Sequence, residues 1–254
     1  MTKEMNMMRV LLDSEIPLVA VSFRDNDSER LANEAKAAGI DIAELRIDRF
    51  ALTDVDHVLE QIRIFHSLPV LATVRSSQEG GDWNGTDEER LELFRAVAPH
   101  VEAVDIELSS RTVLTDVIAA AKQHDTVAIV SYHNFEYTPS TKELEAVIDE
   151  AKTAGADIVK VSTMVTSESD VKRLASLLLN ADGDTKLIVI AMGAAGAVSR
   201  VFFPALGSRV TYSFIGSSSA PGQLDFTETF ALLRKFYPKF NERKMLEMQL
   251  PETA

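Results

Sequence analysis

Short runs rich in β-branched residues recur eight times along the chain, at 18–23, 42–48, 69–75, 103–108, 127–133, 157–163, 186–193 and 210–216. Successive runs begin about 24–34 residues apart, close to one strand-plus-helix unit each, and amphipathic helical patterns fill the intervals. Strand–helix alternation repeated eight times predicts an α/β chain closed into a (β/α)₈ TIM barrel rather than an open doubly wound sheet. No G-x-G-x-x-G or phosphate-loop motif follows the first run, which speaks further against the open sheet. Ser28 and Thr53 stand where the first two helices would be capped. Thr86 with Glu89 has capping-box spacing, and Gly155 ends a helix over 141–154. No linker or Gly/Ser tract divides the 254 residues. A single barrel domain over 1–254 is predicted, with a short lead-in (1–17) and a polar tail (239–254) that frays or adds a helix.

Composition narrows the function classes. The chain is 46% hydrophobic and 26% charged, which suits a globular protein with a sizeable core. It has no cysteine, so disulfides, cysteine-ligated metals and a cysteine nucleophile are excluded. A formal net charge of -13 argues against a nucleic-acid or anionic-membrane partner, because such a body repels phosphate. A small anionic substrate responds to the local field instead. The first residues show no targeting pattern, and the apolar runs are far shorter than the ~20 residues that span a bilayer. The expectation is a cytoplasmic protein.

The strands carry a second signal. In a barrel, alternate residues face the lumen and the helices. Glu44, Arg46 and Asp48 share one phase; so do Asp105 and Glu107, while Thr73 and Arg75, Ser131 and His133, and Lys160 and Ser162 repeat the split. Barrel lumens are usually filled by Val, Ile and Leu, and charges gathered inside a protein are costly unless paired or functional. These charges also lie toward the C-terminal ends of their strands, where barrel enzymes keep their sites. The pattern points to an enzyme.

Lys160, set between valines and near Arg46 and Arg75, has two readings. Desolvation and like charge would lower its pKa toward ~7–8 and supply the neutral amine that imine chemistry needs. Alternatively it simply pairs with Asp105, Glu107 or Glu44. His133, one strand earlier, suits general acid–base work, or is a structural histidine held by hydrogen bonds. His57, His66, His100 and His124 fall on or near helices and read as surface residues. The carboxylates could ring a divalent cation, but Arg46, Arg75 and Lys160 in the same phase oppose one, and no HxH or HExxH spacing occurs. Two loops, 76–85 and 217–223, follow strands three and eight and fall on the active face. Glycine and serine around the last two strands also suit a phosphate site, although nothing else supports one.

Taken in order, Glu44-Leu45-Arg46-Ile47-Asp48, Thr73-Val74-Arg75-Ser76 with Glu79-Gly80-Gly81, Asp105-Ile106-Glu107, Ser131-Tyr132-His133-Asn134, Val159-Lys160-Val161 and Ser219-Ala220-Pro221-Gly222-Gln223 resemble type I 3-dehydroquinate dehydratase. The resemblance runs from Ser22 to Gln223. It implies a cofactor-free, metal-free barrel lyase of the shikimate pathway, which serves aromatic amino acid biosynthesis, and a homodimer acting on 3-dehydroquinate. Lys160 would form an imine with the substrate ketone, His133 would move the protons, and Glu79 would orient the histidine. Glu44, Arg46 and Arg75 match residues that hold the substrate hydroxyls. Arg200 matches the arginine that clamps the substrate carboxylate. Ser22, Met192, Tyr212, Ser219, Ala220 and Gln223 match wall and lid positions, Tyr212 standing where the family often has phenylalanine. Asp48, Asp105 and Glu107 fit a supporting shell. Relatives commonly begin with a β-hairpin that plugs the barrel; with seventeen residues before the first strand, a short or partial plug is expected here. The competing readings are another imine-forming enzyme of the class I aldolase type and a binding barrel without activity.

Overall fold

The structure is a computed structural model that describes residues 6–216 and 222–249. Its eight strands are β1 (Leu18–Phe23), β2 (Ile42–Arg46), β3 (Val70–Thr73), β4 (Ala103–Glu107), β5 (Val127–Asn134), β6 (Ile158–Met164), β7 (Leu187–Met192) and β8 (Val210–Ser213). All pair in parallel, in the order β7-β6-β5-β4-β3-β2-β1-β8. The ring closes between β7 and β8 through the segment just before β8. Arg209 N–H donates to the Leu187 carbonyl at 2.9 Å, and Val189 N–H to Ser208 Oγ at 3.0 Å. The eightfold alternation thus becomes a (β/α)₈ barrel.

Helices α1 (Met7–Asp13), α2 (Ser28–Ala38), α3 (Val55–Ile64), α4 (Asp87–Val97), α5 (Leu114–Gln123), α6 (Thr141–Ala154), α7 (Glu168–Leu179), α8 (Ser199–Phe202), α9 (Phe226–Phe236) and α10 (Pro238–Gln249) complete the chain. The Thr86–Glu89 capping box forms, and α6 ends at Gly155 in the left-handed region. Two expected caps move by one residue. Asp27 precedes α2 while the Ser28 hydroxyl donates to buried Gln61, and Asp54, not Thr53, accepts the His57 N–H of α3. At α3 a carboxylate one residue nearer the helix takes the capping bond, whereas Asp27, in the left-handed region, precedes α2 without a side-chain cap bond.

Two apolar layers form. Outward strand residues such as Val21, Leu45, Ile106 and Val161 pack under the helices. Inside, Leu18, Ile42, Leu71, Val127, Ile158 and Ile188 fill the lower lumen, and Met8 and Leu12 of α1 join them. The expected partial plug is therefore a single short helix. Asn6 fastens its start by donating to the Glu102 and Asp125 carbonyls, and Arg9 pairs with Asp125 and Asp157.

A repeated device organises the same end of the barrel. Asp41, Glu102 and Asp157, each at the entry to an even-numbered strand, accept the backbone N–H of Val19, Val70 and Ala128 at 2.8, 2.6 and 2.8 Å. Ser208 does the same for Val189 before β8. Each side-chain oxygen satisfies a backbone donor near the start of an odd-numbered strand, where a bare N–H would be costly. Of the two expectations for the polar tail, the added helix is the one that forms, as α10 through Gln249. Its Lys244 and Arg243 pair with Asp41 at 2.6 and 3.0 Å, and Phe240 is wholly buried.

The lower lumen needs α1 as its floor. Met8→Ala is expected to lower the unfolding free energy by ~2–5 kcal/mol, the usual range for truncating a buried methionine. Val10→Ala, on the exposed face of the same helix, should cost under about 0.5 kcal/mol. Denaturant titration of the two variants checks this.

Candidate active site

The upper lumen is built from charges. Asp105 on β4 lies at its centre, wholly buried. Its Oδ1 meets Arg75 Nη2 at 2.8 Å and accepts the Ser131 hydroxyl at 2.6 Å. Its Oδ2 accepts from Lys160 Nζ at 3.0 Å. Lys160 also donates to the Tyr212 hydroxyl at 3.2 Å, and Glu44 lies 3.7 Å away. Glu44 in turn accepts hydroxyl donors from Ser22 and Thr73. Arg75 reaches Glu107 with Nη1 at 3.0 Å, so one guanidinium spans two carboxylates.

Of the two readings of Lys160, pairing is the one realised. Burial favours the neutral amine, but Asp105, Tyr212 and Glu44 outweigh it, and the ammonium is held above the ordinary lysine range. The drop toward neutrality that the other reading required does not occur, because Asp105 is in direct contact while Arg75 and Arg46 are themselves paired with carboxylates.

His133 behaves in the opposite way. Burial, then Arg75 and Lys160, push its imidazole well below the usual value, so it is neutral. Glu79 Oε2 accepts the His133 backbone N–H at 2.9 Å and lies 3.0 Å from Nδ1. An oxygen already accepting one donor orients Nδ1 as a second, which leaves Nε2 with its lone pair. Glu79 itself is pushed up to about 7 by burial, against the Ser109 hydroxyl bond and Arg75. The loop 76–85 makes this possible. At Gly81 a Cβ would stand 2.0 Å from the Arg75 carbonyl oxygen, so only glycine lets the chain turn back tightly enough to bury Glu79.

A cavity of about 130 Å³ opens above these groups. Ser22, Glu44, Arg46, Arg75, Glu79, His133, Lys160, Met192, Arg200, Tyr212 and Gln223, all singled out in the sequence, line it together. Ser219 and Ala220 lie outside the described residues. Arg200 is buried, and its Nε and Nη2 have no hydrogen-bond partner among the described residues. Burial lowers its pKa to about 10, which still leaves a cation at neutral pH. A desolvated guanidinium with two free donors is a seat for a carboxylate. Asp48 departs from expectation. The backbone turns into a short 3₁₀ segment, Ile47–Arg49, so its side chain leaves the lumen phase and grips Arg46 at 2.9 and 2.7 Å from outside the cavity.

The matching families agree with this geometry. The model of the type I 3-dehydroquinase family matches residues 16–238. A 3-dehydroquinate dehydratase from Methanosarcina barkeri is 38% identical over 87% of this chain and 96% of its own length. That from Aquifex aeolicus is 36% identical, and its crystal structure superposes with a TM-score of 0.79 over 87% of this chain and 99% of that one. A type I enzyme from Clostridium difficile, solved with covalently modified comenic acid, is 28% identical with a TM-score of 0.82 over 88% of this chain and 94% of that one. The chain belongs to the type I 3-dehydroquinase family. It is a hydro-lyase, which displaces the aldolase and binding-barrel alternatives.

In this type I 3-dehydroquinase the cavity is also lined by Ser162, which the strand phase already pointed into the lumen, and by Gly80 of the first loop, while the walls that sequence reasoning missed are Arg49, Phe135 and Ile190. Ile190 shares the lumen phase of Met192, so period-two reading could have found it. Arg49 and Phe135 come from turns, where no period applies. Phe135 lies parallel to the His133 ring at a centroid distance of 6.2 Å, and Arg49 Nη2 donates to the Gly80 carbonyl at 3.2 Å. Of the remaining histidines, His66, His100 and His124 are exposed as expected, whereas His57 is half-buried against Asp25 at 3.0 Å.

The direct contact with Asp105 sets the charge of Lys160. Asp105→Asn should let the amine titrate lower than in the wild type, read by NMR of the labelled lysine across pH 7–11 in a variant shown by circular dichroism to be folded. An unchanged titration would contradict the assignment.

Proposed function

We propose that this type I 3-dehydroquinase dehydrates 3-dehydroquinate in the shikimate pathway through an imine on Lys160, with His133 as the proton carrier. One observation carries the reading: a buried amine, a neutral imidazole with a free nitrogen and a guanidinium whose Nε and Nη2 have no partner among the described residues line the same cavity. Arg200 takes the substrate carboxylate by a charge-assisted pair of hydrogen bonds. The ring hydroxyls meet Glu44, Arg46 and Arg75, while Ser22, Met192, Tyr212, Ser219, Ala220 and Gln223 form walls and cover.

The Lys160 ammonium first gives up a proton, for which neutral His133 is the available acceptor. The amine adds to the ketone, and the His133 imidazolium returns its proton to the carbinolamine hydroxyl, which leaves as water to give a protonated imine with His133 neutral again. That cation draws electrons from the adjacent carbon, so His133 Nε2 removes a proton there and an enamine forms. The enamine returns its electrons, the hydroxyl on the next carbon breaks away, and the proton on His133 leaves with it as water. Hydrolysis of the conjugated imine consumes one water, frees Lys160 and releases the enone, 3-dehydroshikimate. The net loss is one water. Glu79 stays on Nδ1 throughout and stabilises the imidazolium while it exists. The same reading makes the working form a cytoplasmic homodimer, an assembly that sedimentation tests. No helix among the described residues is long and apolar enough to cross a membrane.

Lys160→Ala should abolish formation of the conjugated enone, followed by its ultraviolet absorbance. His133→Ala should lower turnover by ~10²–10⁴, the usual scale of general acid–base contributions. Normal turnover in Lys160→Ala would end the imine reading. With Glu79 at about 7, the acid is neutral below that pH and ionised above it. The ionised form holds both His133 donors more strongly and stabilises the imidazolium by its charge, so kcat should fall on the acid side with a midpoint near 7. Glu79→Gln should lose that limb and turn over roughly 10²-fold more slowly, as expected when a base is poorly oriented. An acid limb that persists unchanged in Glu79→Gln would assign it to another group.

A further inference from the structure

Arg90 lies outside the cavity on α4, yet its side chain is only 1% exposed, and the chemistry above makes no use of it. Each of its three nitrogens donates a hydrogen bond. Nε donates to the Val74 carbonyl at 2.7 Å, Nη1 to Ser110 Oγ at 2.8 Å, and Nη2 to Glu107 Oε2. Ser110 donates to that same carboxylate oxygen at 2.8 Å. Glu107 therefore meets the helix with one oxygen and the lumen with the other, where Arg75 Nη1 and the Ser76 N–H reach it at 3.0 and 2.9 Å. The other arm of Arg75 holds Asp105, which holds Lys160. Five buried charges of alternating sign run from a helix on the outside of the barrel to the amine.

We propose that Arg90 is a positioning residue for the imine chemistry: by neutralising Glu107 it leaves Arg75 free to share Asp105, and so limits how tightly Asp105 grips the Lys160 amine. The assignment rests on the imine reading above. Without Arg90, the full charge of Glu107 would draw Arg75 toward itself in a medium where charges are poorly screened. Asp105 would then turn its charge on Lys160. The groups that face the amine are Asp105 from β4, Glu44 from β2, Tyr212 from β8, Arg75 beyond β3 and His133 from β5. Of these, Arg75 is linked to Arg90 through Glu107, and Asp105 through Arg75. A purely structural Arg90, clipping α4 to the end of β3 through Val74, would change stability and leave the titration of Lys160 unmoved.

Borohydride trapping of the 3-dehydroquinate imine, measured against pH, separates the two roles. In Arg90→Met the midpoint of trapping should move up by about one pH unit, with a roughly tenfold loss of kcat at neutral pH. In Glu107→Gln, which keeps Arg90, the midpoint should move down. In the double variant Arg90→Met/Glu107→Gln there is no carboxylate left for Arg90 to neutralise, so its midpoint should match that of Glu107→Gln, and a midpoint that moves back up would overturn the route through Glu107. A folded Arg90→Met with an unmoved midpoint overturns the assignment. If Arg90→Met does not fold, Arg90→Gln, which removes the charge but keeps an amide donor, takes its place, and an unmoved midpoint there overturns the assignment. Trapping on wild-type Lys160 with unmoved variants refutes the role of Arg90 alone. No adduct in the wild type would refute the imine reading and this assignment together.

Discussion

Asp105 holds Arg75 at 2.8 Å and Lys160 at 3.0 Å in a lumen with almost no exposure to water. One carboxylate between two cations solves the hardest problem of this fold, which is how to keep an amine inside a protein without losing its charge or its position. Desolvation alone would discharge Lys160 or expel it. The pairing fixes Nζ at the cavity floor and ties it, through Arg75 and Glu107, to the outer helices. It also sets a condition on the chemistry. In the proposed reaction the amine starts as an ammonium, so substrate binding and His133 must together take its proton before a bond forms.

The rest of the barrel serves that arrangement. An apolar floor from Leu18 to Ile188, sealed by Met8 and Leu12, lies below the charged half of the lumen. Charged groups with a dry layer beneath them interact more strongly than they would beside water. The carboxylates at the strand entries, Asp41, Glu102 and Asp157, bind backbone donors of the neighbouring strands, and Asp41 and Asp157 also anchor the terminal helices. Chemistry and stability therefore occupy opposite ends of the same strands, as barrel geometry favours.

Much of this was legible because strands have an exact period of two. Glu44, Asp105, Glu107, Ser131, His133 and Lys160 share a phase in the sequence, and a closed parallel sheet turns a shared phase into a shared lumen. Three things were not legible. The protonation of Lys160 depends on contacts across strands, and the competing pulls of carboxylates and arginines cannot be ranked without distances. Asp48 followed the period on paper, but the chain leaves the strand at Arg46. Arg90, in the run Asp87-Glu88-Glu89-Arg90, reads as one more charge on a solvated helix, and only its packing against Val74 and Glu107 reveals otherwise. The formal charge of -13 is likewise two different things in space. Exposed acids such as Glu88, Glu145 and Glu150 cover the helices, while Arg46, Arg75, Arg200 and Lys160 surround the cavity. An anionic substrate meets the second environment.

The central claim is that Lys160, and no other amine, carries the substrate. Reducing the wild-type protein with borohydride in the presence of 3-dehydroquinate, followed by peptide mass spectrometry, reads this directly. The account predicts a single adduct on the peptide containing Lys160, absent from Lys160→Ala. An adduct on another lysine, or turnover without any adduct, would contradict it.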